Sequence, residues 1–179
     1  MEERNASLWV ASLGGVPTGY AHCRVERIEG KRRKESGFLR LLYVPADPDM
    51  GQSKIAVAPA YRRKGVATRL IQDTLEYFAQ EGVEIAIVYV YSDNAVAQAL
   101  LSKLGFSHSE RFYYEPFSDR EPFVFDTVFA ELDLRRPLKR IRLNPNVKIR
   151  TPCEDDLEAM VEIFGRCAPW VFGPSPSAD

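Results

Sequence analysis

The stretch that decides the fold is residues 55–67, which read Ile55-Ala56-Val57-Ala58-Pro59-Ala60-Tyr61-Arg62-Arg63-Lys64-Gly65-Val66-Ala67. A short apolar strand passes through a basic turn into the start of a helix. The first turn of a helix leaves backbone N–H groups without internal partners, and its dipole favours anions there. The segment therefore predicts a site for a diphosphate. For residues 62–67 taken alone, a charged turn without a ligand is an equal alternative.

The segments after this turn alternate between helical and strand patterns. Apolar residues recur with a helical period from Val66 to Ala79, and Gly82 stands where a helix C-terminal glycine is expected. Residues 85–91 are apolar on both faces, as in a strand that is covered on both sides. Residues 95–104 form a second helix that ends at Gly105. This order predicts an α/β protein with helices packed on a twisted sheet.

Further strands are predicted around this unit. Residues 8–11 and 18–28 form a hairpin, and residues 106–115 and 123–134 form two later strands. Residues 38–44 form either an extra strand or the first half of an interrupted one, because prolines separate them from residue 55. The sequence leaves both alternatives open.

Composition limits the classes of function. With 24 basic and 25 acidic residues, the chain lacks the excess of positive charge that is typical of nucleic-acid-binding proteins. The basic run Lys31-Arg32-Arg33-Lys34 is therefore interpreted as a solvated hairpin tip. Three cysteines and two histidines are spaced too widely for a zinc site or a disulfide framework. No apolar run is long enough for a membrane span and no leader is evident, so we expect a cytoplasmic protein without a metal.

Two motifs together resemble the GNAT superfamily of acetyl-CoA-dependent N-acyltransferases. The first is the Arg62-x-x-Gly65-x-Ala67 turn with its flanking strand and helix. The second, at the spacing typical of the family, runs Asn94-x-x-Ala97-x-x-Leu100-Leu101-x-x-x-Gly105-Phe106. The resemblance covers about residues 7–134. It implies a mixed, mostly antiparallel sheet with helices on both faces, and a splayed central pair formed by residues 55–57 and 85–91.

The resemblance also implies acetyl-CoA as co-substrate. Its pantetheine arm would lie between the splayed strands and its pyrophosphate at the turn. The implied binding residues are Ala56, Val57, Arg62, Arg63, Lys64, Gly65, Val66, Ala67 and Asn94. The expected reaction is direct acetyl transfer to a primary amine of a small molecule, peptide or protein. The alternatives are a non-catalytic acyl-CoA-binding domain and, more weakly, a nucleic-acid-associated module that uses the basic run at residues 31–34.

The chain departs from the family pattern at two positions that matter for catalysis. Leu101 stands where a tyrosine commonly protonates the departing thiolate, and Lys54 stands near the usual place of a carboxylate base. Replacements that the sequence offers are Tyr89, Tyr91, Glu84 and His22, although a packing or surface role is the more frequent one for each. No catalytic residue is therefore assigned.

The chain order is unusual for the family. Residues 1–134 lack the strand and helix with which such a domain opens, residues 135–146 look like a linker, and residues 147–179 resemble the missing opening. The chain could be part of a tandem protein, a circularly rearranged domain, or one half of a homodimer that exchanges its C-terminal segment. The tandem explanation is favoured at this point.

Overall fold

A computed structural model describes residues 6–26, 36–38, 55–91, 94–114 and 125–167. Its eight strands are β1 (Ala6–Leu13), β2 (Val16–Glu26), β3 (Ser36–Phe38), β4 (Ile55–Val57), β5 (Ile85–Tyr91), β6 (Ser107–Tyr114), β7 (Phe125–Asp133) and β8 (Val147–Arg150). Its helices are α1 (Val66–Gln80), α2 (Ala95–Leu104) and α3 (Asp156–Cys167), with a short 3₁₀ helix at Pro59–Tyr61. The predicted helices and strands are present where the structure describes them, whereas residues 39–44 of the strand predicted at 38–44 and the basic run at residues 31–34 lie outside the described residues.

One sheet contains all eight strands, in the order β6-β7-β5-β3-β2-β1-β8, with β4 attached to β2. Within the described residues only the β3–β5 ladder is parallel, and the other ladders are antiparallel. The prediction of a mixed, mostly antiparallel sheet is confirmed.

Two short strands share one edge of β2. β3 pairs with β2 through Phe38 and Arg24, and β4 pairs with it through Val57 and Gly19. Because β1 occupies the other edge of β2 along this stretch, β3 and β4 follow one another along the same edge. They therefore follow one another as the two parts of an interrupted strand would, which favours that interpretation of the region before residue 55. Residues 39–54 lie outside the description.

The interruption opens the sheet in the middle. β3 pairs with the first three residues of β5, from Ile85 to Ile87. In the described part of the chain, no ladder joins β4 to the remainder of β5, which keeps β7 as its neighbour on the far side. The expected splay between the strands at 55–57 and 85–91 is confirmed.

Helices cover both faces of the sheet. The apolar face of α1, with Leu75 and Phe78, packs with Leu101 and Leu104 of α2 against Val88 of β5 and its neighbours. On the opposite face, Ile163 of α3 is buried with Val10 of β1 and Tyr20 of β2. Alternation of side chains along the strands produces this division, since Val10 and Ala11 point to opposite faces. No helix in the described ranges has the length and apolar character that crossing a membrane requires.

The C-terminal segment completes the edge of the sheet beside β1. β8 pairs antiparallel with β1 of the same chain, from Val10 opposite Arg150 to Leu13 opposite Val147. Residues 154 and 155 form a turn, and α3 begins after it at Asp156. The Asp156 carboxylate accepts from the Cys153 N–H at 2.7 Å and receives two hydrogen bonds from Arg150. This cap and ion pair join the end of β8 to the start of α3.

Candidate functional site

Strand β4 leads into the basic turn through a hydrogen-bonded connection. The Ala58 N–H donates to the Thr18 carbonyl at 2.9 Å, which ties the end of β4 to β2. Pro59 then starts the short 3₁₀ helix, in which the Tyr61 N–H donates to the Ala58 carbonyl. The turn at residues 62–65 is thus held at a defined place beside the end of β4.

The pairing of β4 with β2 sets the direction of its backbone groups. The Ala58 N–H donates to the Thr18 carbonyl, and Tyr20 and Ala56 are paired two residues further along the same register. Hydrogen-bonded pairs alternate in an antiparallel ladder, so Ala56 directs its N–H and C=O towards β2. The backbone groups of Ile55 and Val57 point instead to the side where β5 lies. The Val57 carbonyl also accepts a long hydrogen bond, 3.5 Å, from Arg62 Nε.

Gly19 on β2 permits the close approach of β4. A Cβ atom placed on Gly19 would lie 2.7 Å from the Ala56 carbonyl oxygen, and 3.1–3.2 Å from side-chain atoms of Val66 and Val57. Any other residue would therefore push β4 away from β2. Gly19 was not singled out from the sequence, although a glycine inside a strand pattern can signal a close backbone approach.

The turn itself has a conformation that few residues adopt. Arg63 has φ 64° and Gly65 has φ 82°, both in the left-handed region. For a residue with a side chain such as Arg63 this conformation is strained, and such strain is concentrated at binding and catalytic loops. Gly65 is the N-cap of α1 and its carbonyl accepts from the Arg69 N–H at 3.0 Å.

The N-terminus of α1 has the features of an anion site. Its N-cap residue, Gly65, has no side chain that could cap the helix, and the first turn contains no acidic residue. The N–H groups of Val66, Ala67 and Thr68 belong to this first turn, where a helix has no carbonyl to offer them. Burial of the Val66 side chain fixes the start of the helix against the sheet, while Ala67 is small.

Positive charge surrounds this end of the helix. Arg62, Arg63 and Lys64 are all exposed, and they follow one another immediately before Gly65. The Lys64 ammonium lies 4.9 Å from the centre of the Tyr61 ring, a cation–π contact that holds it beside the turn. Backbone donors and exposed cations together suit a phosphate-bearing ligand.

Asn94 lies at the other side of the opening, after the end of β5. Its Oδ1 accepts from the Ala97 N–H at 3.1 Å, so the residue caps α2. The side chain is exposed. The structure thus gives Asn94 a role in starting α2, and its contact with acetyl-CoA stays a prediction.

The residues considered for catalysis are spread over the fold. Leu101 is fully buried in the core under α2, and Glu84 precedes the end of β5 that is paired with β3. His22 is partly buried on β2, opposite Leu8. Tyr89 and Tyr91 lie on the splayed part of β5, but their side chains, like Lys54, fall outside what is described.

Among the described residues there is no group of three or more side chains that could hold a metal ion. Two described cysteines, Cys23 and Cys153, are free thiols. Burial raises the pKa of the Cys23 thiol to about 11, so this thiol is protonated at neutral pH. It is therefore unsuited to act as a nucleophile.

Asn144 makes a second contact that the sequence did not predict. Its Nδ2 donates to the carbonyl of Lys64 at 2.9 Å, across 80 positions of sequence. Nothing in the composition of the segment at 135–146 signals this contact, because it depends on how the chain returns after β7.

The model of the Acetyltransferase (GNAT) family matches residues 1–106 of this chain. An uncharacterised N-acetyltransferase of Methanocaldococcus jannaschii is 26% identical over 110 residues, 62% of this chain and 43% of that protein. The chloroplastic GCN5-related N-acetyltransferase 6 of Arabidopsis thaliana is 34% identical over 67 residues, 37% of this chain and 23% of that protein. The chain thus spans less than half the length of these curated relatives.

Solved structures share the fold. An acetyltransferase from Salmonella typhimurium, determined with acetyl-CoA, has a TM-score of 0.54 at 20% identity, covering 76% of this chain and 69% of that one. The ribosomal-protein-S18-alanine N-acetyltransferase of Escherichia coli has a TM-score of 0.51 at 20% identity, covering 79% and 77%. The family match covers more than half of the residues and agrees with the splayed sheet and the basic turn. This chain belongs to the GNAT acetyltransferase family.

Proposed function

We propose that this protein is an N-acetyltransferase that moves an acetyl group from acetyl-CoA directly to a primary amine. The observation that carries the proposal is the opening between β4 and β5, which lies next to the basic, glycine-capped N-terminus of α1. An opening flanked by a diphosphate site suits a ligand that has an extended arm attached to a diphosphate. Acetyl-CoA is such a ligand, and the related Salmonella structure was determined with it.

In the proposed complex the diphosphate is held by the N–H groups from Arg63 to Ala67. Arg62, Arg63 and Lys64 add charge, and the pantetheine arm lies along β4. The ladder directs the Val57 backbone towards the opening, so we assign it, with Ile55, the hydrogen bonds to pantetheine. Ala56, whose groups point to β2, contributes to holding β4 in place. Asn94 borders the arm from the far side.

The reaction needs an amine that has lost its proton. An amine like that of lysine has a pKa of about 10.4, so its deprotonation at pH 7 costs about 4–5 kcal/mol and calls for a general base. Direct transfer is favoured over a route through an acylated Cys23, since that thiol is buried and its pKa is about 11. The coenzyme leaves as a thiolate, which is a fairly stable anion.

Calorimetric titration with acetyl-CoA followed by a panel of amines tests the proposal. We expect acetyl-CoA to bind with 1:1 stoichiometry, and a thiol reagent to detect free coenzyme A when the right amine is present. A chain that does not bind acetyl-CoA would refute the assignment. The panel includes peptides, free amino acids and polyamines, because each of these classes offers a primary amine.

A second candidate function is a non-catalytic acyl-CoA-binding domain. Leu101 favours it: the side chain is fully buried and cannot donate a proton to a leaving thiolate. Tight binding of acetyl-CoA without turnover of any amine would support this candidate. Leu101→Tyr distinguishes the causes. If the missing acid limits turnover, the variant should gain turnover per folded molecule, although overpacking should cost about 1–3 kcal/mol of stability.

For the chain order, we propose that residues 147–167 complete the sheet within one chain, as in a circularly rearranged domain. The support is the β8–β1 ladder, together with burial of Val147 and Ile163 in two separate clusters. Light scattering should then give the mass of a monomer, and an exchanged dimer would give twice that mass. We also propose a cytoplasmic location, because Cys23 and Cys153 are free thiols.

A further inference from the structure

The segment between β7 and β8 follows α1 along its length. Its start lies near the C-terminal end of α1, where the Leu134 N–H donates to the Glu84 carbonyl at 2.8 Å, and Leu138 and Ile141 then pack against the core cluster that contains Phe78. Val147, at the far end of the segment, packs with Val66 and Leu70 at the N-terminal end of the helix. The segment, residues 135–146, therefore places Asn144 beside the basic turn.

Asn144 makes two directed hydrogen bonds there. Its Nδ2 donates to the Lys64 carbonyl at 2.9 Å, and its Oδ1 accepts from the Asn146 N–H at 3.0 Å. The second bond closes a local turn that fixes the side chain of Asn144 in one orientation. The amide is thus presented to the turn as an already oriented donor.

Asn144 also packs closely on the turn. Its Cβ lies 3.3 Å from where a Cβ on Gly65 would be, which is tighter than an ordinary van der Waals contact. The segment therefore covers one side of the Lys64–Gly65 peptide and leaves the other side for a ligand.

The hydrogen bond from Asn144 to the Lys64 carbonyl also sets the direction of the Gly65 N–H, because the peptide between Lys64 and Gly65 is trans. No cis peptide bond occurs in the described ranges, and in a planar trans peptide the C=O and the following N–H point in opposite directions. When Asn144 holds the Lys64 carbonyl, the Gly65 N–H is directed away from Asn144. Gly65 can adopt many backbone conformations, so without this contact the peptide could rotate at little cost.

We propose that Asn144 is a positioning residue that presets the Lys64–Gly65 peptide so that the Gly65 N–H faces the diphosphate of acetyl-CoA. The inference rests on the proposed function, because it assumes a diphosphate at this turn. Donors that are oriented before binding lose less conformational freedom when the ligand arrives. Removing Asn144 should therefore weaken ligands that carry the diphosphate and spare those that do not.

The experiment compares Asn144→Ala with the wild type in binding two ligands, coenzyme A and S-acetylpantetheine, which lacks the diphosphate. We expect the Kd for coenzyme A to rise about five- to tenfold, the range that one net hydrogen bond supplies. The Kd for S-acetylpantetheine should change by less than about twofold, because that ligand makes no contact with the turn.

Asn146→Ala is the matched control, since it removes an exposed asparagine side chain two residues away and retains the N–H to which Asn144 binds. It should bind both ligands like the wild type. Asn144→Asp is the second variant, because a carboxylate can still accept from Asn146 but cannot donate to Lys64. It should lose at least as much affinity for coenzyme A as Asn144→Ala does, and it secures the test if the alanine variant fails to fold.

Three results would contradict either the positioning role of Asn144 or the proposed function. If the wild type binds coenzyme A and both Asn144 variants bind it equally well, the positioning role is wrong and the proposed function stands. If affinity for S-acetylpantetheine falls as much as affinity for coenzyme A, the effect is general and the positioning role is again wrong. If the wild type binds neither ligand, the proposed function itself fails.

Discussion

Replacing Gly19 by alanine tests whether the contact between β2 and β4 supports the site. The added Cβ would lie 2.7 Å from the Ala56 carbonyl oxygen, a separation that real Cβ atoms essentially never show. The obstructing atom belongs to the backbone, so a change of side-chain rotamer cannot relieve the contact. Strand β4 must move away from β2 by about half an ångström or more.

The size of the effect follows from this displacement. Inserting a methyl group into a packed site typically lowers the free energy of unfolding by about 1–3 kcal/mol. Replacing a glycine also reduces the flexibility of the unfolded chain, which raises the free energy of unfolding by about 0.4–1 kcal/mol. We expect a net loss of about 1–2 kcal/mol, which for a domain of this size lowers Tm by about 2–8 °C. A misplacement of about 1 Å can reduce catalysis about a hundredfold, so a displacement of β4 by about half an ångström should lower kcat/KM about tenfold.

Thermal unfolding and steady-state acetyl transfer measure the two effects. Gly165→Ala is the control, because a Cβ on this residue of α3 meets nothing within 4 Å. It should raise stability by about 0.5–1 kcal/mol and leave transfer unchanged. The reasoning would be refuted if Gly19→Ala matched the wild type in both Tm and kcat/KM. If acetyl transfer is not observed, the Kd for coenzyme A replaces kcat/KM as the measurement.

Two other predictions concern the turn and the C-terminal helix. Gly65→Glu should abolish detectable binding of coenzyme A in calorimetry, because φ 82° is strained for glutamate and a carboxylate there repels the diphosphate; wild-type affinity would count against the site. Hydrogen bonds from Arg150 hold the pKa of the Asp156 carboxyl well below its usual value of about 4, so its contribution to stability is present above pH 4 and is lost as the pH falls below it. Asp156→Asn should therefore be less stable than the wild type at pH 7, with a gap in the free energy of unfolding that narrows from pH 4 to pH 2. Asp155→Asn, an exposed neighbour, should show no such change, and a gap that is constant with pH would contradict the prediction.

Local features of the chain could be predicted because their causes lie within a few residues. The apolar period after Val66 predicts α1, and the turn residues Gly82 and Gly105 mark the ends of two helices, as the structure has them. The diphosphate turn is local too, since a strand, a basic turn and a helix start follow one another directly. The splay itself came from the family resemblance, which the two motifs supply.

Tertiary structure decided what depends on distant partners. That β3 and β4 continue one another follows from where each meets β2. The need for glycine at position 19 arises from the Ala56 carbonyl, 37 positions away, and the contact of Asn144 with Lys64 spans 80. No pattern along the chain encodes such distances, because they are set by the packing of the whole sheet.

The sequence by itself determined the family, the helix and strand types, and the turn that suits a diphosphate, since periodicity, glycine and charge act over short range. Only the tertiary structure decided that β8 lies beside β1, which residues hold β4 in place, and which asparagine faces the turn. These arrangements depend on the free energy of burying apolar surface between segments that lie far apart in the chain. That free energy depends on which segments come into contact, and contact is a property of the folded structure.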